Sequence, residues 1–174
     1  MGRAGAFLIA AVFAGIAATL ATAPAEAALK REVVEAPTGY SRGTIVIRIH
    51  ERRLYLITGR GQAIRYPVAV GKPGKAWVGK TRVDGKYVNP AWAPPAIVKR
   101  DIPSLPDLIP GGAPNNPMGV RALTLAGDEY AIHGTNRPNT IGKAASYGCI
   151  RMYNDDIVDL YERVRVGTTV IVEP

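Results

Sequence analysis

The sequence predicts a mainly β domain with one clear helix in its C-terminal half, and three observations carry that reading. From Thr44 onward, short alternating or β-rich runs recur between glycine-marked turns. Helical spacing of apolar residues is sustained only over Ile157, Leu160, Tyr161 and Val164. A length of 174 residues suits one domain, and an apolar share of 47 % supplies a packed core.

At the N-terminus, Arg3 precedes an apolar run from Ala6 to about Ala23, followed by Pro24, Ala25, Glu26 and Ala27. A charged start, an apolar middle and small residues around a cleavage point form the pattern of a secretory leader, here residues 1–27. The run approaches a spanning length, but its alanines make it weakly hydrophobic, so no stable membrane anchor is expected after cleavage. Residues 28–42 hold Pro37 and Gly39 with no sustained period and read as a linker; residues 43–173 form the domain.

Within the domain, Ile45, Ile47 and Ile49 fall on one face of a half-buried strand. Arg53 to Thr58 and Ala63 to Val70 add two more strands in meander order, which implies antiparallel pairing. Gly71 to Gly79 is loop, and Thr81 to Val88 reads as a hairpin turning at Asp84 and Gly85. In PAWAPPAIV, residues 90–98, three prolines exclude a central strand or an internal helical turn. Trp92 beside them reads as a seal over the core, with cleft lining as the alternative. Asp101 to Pro117 holds five prolines and two glycines, the composition of a lid, a binding loop or a disordered stretch. Val120 to Leu125 and Glu129 to Ile132 are strands turning at Gly127 and Asp128, and the second delivers His133 at its end. Asn154 reads as the cap of the helix, with Asp155 and Asp156 in its first turn, and Thr169 to Val172 closes the domain as a strand.

A formal charge of +8 favours an anionic partner without choosing one, and 7 % aromatics is thin for a base-stacking platform, so no nucleic-acid partner is expected. The single cysteine is more informative. An exported structural thiol is normally paired, and Cys149 has no intramolecular partner, which leaves an intermolecular link, an inert buried thiol or a nucleophile. A free thiol near pKa ~8.5 is mostly protonated at neutral pH and needs a base or a positive field. In HGTNRPNTIGKAASYGCIRM, His133 can supply the base and Arg151 the field. Gly148 clears an approach for a carbonyl, and the amides of Gly148 and Cys149 are candidate oxyanion donors. No acid stands where it would orient the histidine, and the carbonyl of Gly134 is the natural substitute.

Rival chemistries have less support. Two separated histidines and one cysteine fall short of a zinc set, and His50 reads as an exposed turn residue. Ser146 lacks the G-x-S-x-G turn of a serine nucleophile, and GKPGK at residues 71–75 falls short of a phosphate-binding loop. No metal and no organic cofactor is expected.

The segment HGTNRPNTIGKAASYGCIRMYNDD resembles the catalytic signature of the YkuD-type L,D-transpeptidases, in which a histidine followed by Gly-Thr is joined by a mid-length loop to S-x-G-C-I-R. The strand meander, the PAWAPP loop, the NPMG at Asn116 to Gly119 and the closing helix and strand extend the resemblance over Gly43 to Val172. It implies the family's β-sandwich or barrel of mixed sheets and an exported or periplasmic cell-wall enzyme. It further implies that Cys149 attacks the carbonyl before the terminal D-residue of a peptidoglycan tetrapeptide stem, with His133 as base. An amine of a second stem then accepts the acyl group, giving a 3→3 crosslink, and carbapenems acylate the same cysteine. Water as acceptor would make the same site an L,D-carboxypeptidase; a non-catalytic wall-binding module is the remaining alternative. Gly134, Ser146, Gly148 and Arg151 are the supporting residues, Arg151 either holding a stem carboxylate or pairing with Asp155 or Asp156. Tyr147 stands where many members have histidine, so no role is carried over to it. GKTRVDGKY, residues 79–87, keeps Thr81 and Gly85 of the family's TPxGxF pattern but not its proline.

Overall fold

A computed structural model describes residues 1–2, 29–127 and 129–174. The leader expected over residues 1–27 therefore lies outside the described residues, apart from its first two, as does Asp128 of the expected turn.

The elements run β1 (Glu32–Glu35), β2 (Ile45–Arg48), β3 (Arg53–Gly59), β4 (Gln62–Pro67), β5 (Val70–Gly71), β6 (Gly79–Val88), α1 (Ala96–Asp101), β7 (Arg121–Leu125), β8 (Ala131–His133), β9 (Ala144–Ser146), β10 (Ile150–Arg151), α2 (Asn154–Arg163) and β11 (Thr169–Glu173). Nine strands form one mixed sheet in the order β1-β4-β3-β2-β11-β6-β7-β8-β10, and β5 and β9 form a small parallel pair. The meander β2-β3-β4 is antiparallel, as its short connections require. The parallel neighbours, β2 with β11 and β8 with β10, are each joined through longer excursions of the chain.

The sheet curls until Arg151 on its last strand meets Ala69, just past β4, through two backbone hydrogen bonds of 2.9 Å. This near-closure encloses the main core, in which Ile45, Ile47, Leu54, Tyr66, Leu123, Ile132 and Met152 are fully buried. Helix α2 enters the same core with Ile157 and Leu160, followed by Val164 just past its end, on the spacing the sequence shows, and packs on β7 and β8.

Several sequence expectations change. The stretch read as a linker contains β1, which pairs with β4, and Val34, Ala36 and Tyr40 pack over Val46, Tyr55, Ile57 and Ala63. Strand β2 is consequently buried on both faces instead of one. The expected hairpin at Asp84 and Gly85 is a single ten-residue strand with a register shift between Val83 and Gly85. A Cβ on Gly85 would come within 2.6 Å of the Thr124 hydroxyl and the Tyr87 ring, so the glycine serves a bulge and not a turn. The PAWAPP prolines end where α1 begins: Pro95 caps the helix, its carbonyl accepting from Val98 and Lys99. Asn154 does not cap α2; Tyr153 holds that position and the Asn154 side chain turns elsewhere.

Candidate active site

Strands β8 and β10 set the site by their register. Arg151 pairs with His133 and Ile150 with Ile132, so Cys149, one step earlier, stands beside Ala131. Side chains two residues apart share a face of a strand, which puts Cys149, His133 and Arg151 on the same side of this sheet edge. All three line one cavity of about 590 Å³. Its far wall comes from the proline-rich region, with Trp92, Ile97, Val98, Ile102, Leu105 and Ile109.

One buried side chain gathers several turns of that wall, beside the backbone pair of Trp92 and Ile109 and the Lys99 ammonium on Leu105 and Asp107. Asn116, 2 % exposed, donates through Nδ2 to the carbonyls of Pro90 (2.9 Å), Pro110 (2.9 Å) and Ile109 (3.3 Å). Its Oδ1 accepts from the Met118 amide at 2.9 Å. The Trp92 amide also donates to Ile109 and the Ala113 amide to Pro110, and the one carboxamide ties these carbonyls to that of Pro90. Of the readings open for 101–117, the described structure has a cleft-lining loop, and Trp92 lines the cleft from a backbone bridge to Ile109.

His133 is 4 % exposed, and its Nδ1 lies 2.7 Å from the carbonyl oxygen of Gly134. A carbonyl can only accept, so Nδ1 carries the proton and Nε2 presents a lone pair. Burial, reinforced by the charge of Arg151, pushes the imidazole down to about 4, so it is neutral at physiological pH. The Gly134 carbonyl is itself held in place: the Thr135 amide donates to Asn154 Oδ1 at 3.0 Å. A Cβ on Gly134 would approach Asn154 Oδ1 to 2.3 Å, and one on Gly119 would approach it to 2.4 Å. Both glycines therefore make room for the asparagine that fixes the loop after the histidine.

Burial also pushes the Cys149 thiol up, against the pull of the Ala131 backbone and the Arg151 charge. The resting pair is thus a neutral thiol and a neutral imidazole. The loop before the cysteine is clamped by Ser146, whose hydroxyl donates to the Cys149 carbonyl at 2.6 Å and accepts from the Gly148 amide at 3.0 Å. This overturns one expectation: the Gly148 amide is committed to Ser146, so of the two amides only that of Cys149 stays a candidate oxyanion donor.

Arg151 makes no ion pair among the described residues. Asp156 pairs instead with Arg31 at 3.4 Å, so the alternative reading of Arg151, a contact with the helix acids, does not form. A half-buried guanidinium stays charged and faces the cleft, which suits a carboxylate ligand. Tyr147 lines the cleft too, its ring 3.7 Å from the Lys72 ammonium. Among the described residues no three His, Cys, Asp or Glu side chains group as metal ligands.

Sequence reasoning missed Asn116, the hold of Asn154 on the Thr135 amide, and the aromatic pair Trp77 and Tyr130, which stack at 5.1 Å beside Gly148. The available signal was a tryptophan in a glycine and lysine loop, outside any apolar period.

Fold and cleft together define a thiol and imidazole domain built on a curled mixed sheet. Residues 42–172 match the YkuD family, the L,D-transpeptidase catalytic domain, and the chain belongs to that family. The Probable L,D-transpeptidase ErfK/SrfK of Salmonella typhimurium is 40 % identical over 138 residues, 74 % of this chain and 43 % of that protein. The chain thus spans less than half the length of this curated relative. A solved structure from Brucella melitensis, described as a Probable carnitine operon oxidoreductase, is 41 % identical with a TM-score of 0.55, covering 83 % of this chain and 93 % of its own. L,D-transpeptidase 3 from Mycobacterium tuberculosis, in complex with a faropenem-derived adduct, shares the fold with a TM-score of 0.57 at 16 % identity, over 75 % of this chain and 60 % of that one.

Proposed function

We propose that this protein is an exported peptidoglycan L,D-transpeptidase that works through a Cys149 thioester. The observation that carries the reading is that a half-buried thiol and an imidazole whose Nδ1 proton is committed to Gly134 line one cleft from neighbouring positions on paired strands. As Sγ attacks the carbonyl before the terminal D-residue, its proton passes to Nε2 of His133. The C–N bond breaks, the leaving amine of D-alanine takes that proton, and a thioester remains. The side-chain amine of a second stem then attacks, giving its proton to Nε2 and expelling the thiolate, which takes that proton back as the 3→3 crosslink leaves. Arg151 holds a stem carboxylate, and the Cys149 amide faces the developing oxyanion.

Export is supported by the charged, apolar and Ala-Glu-Ala sequence of residues 1–27. The oxidoreductase name belongs to the Brucella chain; here Cys149 and His133 suit acyl transfer.

Incubation with disaccharide-tetrapeptide followed by mass spectrometry tests the reading. Dimers lacking one D-alanine are expected; free tripeptide would identify a carboxypeptidase, and unchanged substrate a binding module. Cys149→Ala should abolish product and the covalent carbapenem adduct alike, and an adduct persisting in that variant would sink the assignment.

A further inference from the structure

We propose that Trp77 is a positioning residue that aims the oxyanion donor. The inference rests on the role proposed for Cys149. Trp77 Nε1 donates to the Gly148 carbonyl at 3.0 Å. The peptide joining Gly148 to Cys149 is planar and trans, so its C=O and its N–H point in opposite directions. Fixing the one aims the other.

The direction follows from what lies on each side. Trp77 lines a separate groove of about 160 Å³ with Val78, Lys80, Thr81, Leu125 and Ala126, and is absent from the walls of the main cleft. Tyr130 borders both spaces and forms the partition. A Gly148 carbonyl drawn towards Trp77 therefore turns the Cys149 N–H towards the cleft, where the thiol meets its carbonyl.

The rest of the setting removes the alternatives. Tyr130 stacks on Trp77 with rings 4° from parallel, holding the indole at the angle its N–H needs. A Cβ on Gly148 would come within 2.4 Å of the Tyr130 ring, and φ at Gly148 is +124°, which only glycine adopts without strain. Ser146 holds the preceding amide and the following carbonyl. The indole N–H thus supplies the remaining tie on the peptide that carries the oxyanion donor. Planar reorientation of a donor peptide leaves the thiol in place but removes stabilisation from a tetrahedral intermediate.

Two electrophiles separate this role from a structural one. Imipenem acylates through a tetrahedral oxyanion, whereas iodoacetamide alkylates sulfur by direct displacement and forms none. In Trp77→Phe, which keeps an aromatic ring on Tyr130, imipenem acylation should fall about 10- to 100-fold while alkylation stays within about threefold of the wild type. Full-length protein with 3-benzothienylalanine at position 77 replaces the N–H by sulfur at constant shape and should reproduce the split even if the phenylalanine variant folds poorly. Equal losses with both reagents, or unchanged acylation, overturn the proposal. A wild-type chain inert to both reagents would instead overturn the role of Cys149 and this inference with it.

Discussion

Nδ1 of His133 lies 2.7 Å from the carbonyl of Gly134, the residue that follows it. A neighbouring peptide thus does what a carboxylate does in other thiol or hydroxyl sites, fixing the tautomer without adding a negative charge. With no anion beside it, and with Arg151 across the strand pair, the imidazole has nothing to raise its basicity enough to offset burial.

The first consequence is a pH profile. Burial and the Arg151 charge push His133 down to about 4, so the proposed base stays deprotonated at pH 5 to 6. The acid limb of kcat/KM for tetrapeptide cleavage should lie well below pH 6; half-maximal activity near pH 6.5 would contradict the neutral, buried base.

The same shift has a stability counterpart. A folded pKa below the unfolded value of about 6.5 means that the unfolded chain binds the proton first, so His133 destabilises the fold as pH drops from about 6.5 to 4, by on the order of 3 kcal/mol. Asp156, pushed up to about 6 by burial, acts in the opposite sense, since its folded carboxyl gains its proton first. Denaturant melts of wild type and His133→Ala between pH 7 and 4 isolate the histidine: the gap between them should shift in favour of the variant as pH falls.

Ser146 is 1 % exposed and makes two hydrogen bonds to the backbone around Cys149, the proposed nucleophile. Ser146→Ala should lower kcat about 10- to 100-fold with little change in KM, because small misplacements of a reacting atom are expensive. Steady-state kinetics at the full rate in this variant would show that the clamp is dispensable.

Asn154→Ala leaves the Thr135 amide, in a residue 3 % exposed, without its acceptor. A loss of about 1–3 kcal/mol is expected, read as a lowered Tm, while Asn154→Asp keeps the accepting oxygen and should lose less. Equal losses in the two variants would show that Oδ1 is not what matters.

Asn116→Ala removes the side chain that ties the Pro90, Ile109 and Pro110 carbonyls together, although Ile109 and Pro110 keep their backbone donors. Limited proteolysis should then cut within 101–117 faster than in the wild type, with a raised KM for the tetrapeptide. Unchanged cleavage kinetics would show the loop is held by other means.

Tyr147→Phe should retain much of the activity, since the ring still covers Lys72 and the proposed base is His133. Activity assays showing a loss as complete as in His133→Ala would make the hydroxyl part of the machinery.

The sequence by itself determined what is local or carried by type and order. Alternation named the strands of the meander, helical spacing named the face of α2, and the stretch from His133 to Met152 named the thiol, the imidazole and the glycines. Tertiary structure decided what depends on distant chain. Residues 32–40 gained meaning only when Val34 and Tyr40 covered the outer face of β2, and Gly85 changed from turn to bulge only against Thr124. Asn154 left the helix cap because the Thr135 amide, nineteen positions earlier, offered it a buried donor. Trp77 stands 71 positions from Gly148, and no local pattern can aim an indole N–H at one carbonyl. Local preferences fix a side chain's options, and long-range packing selects among them by leaving buried donors and acceptors in need of one partner each.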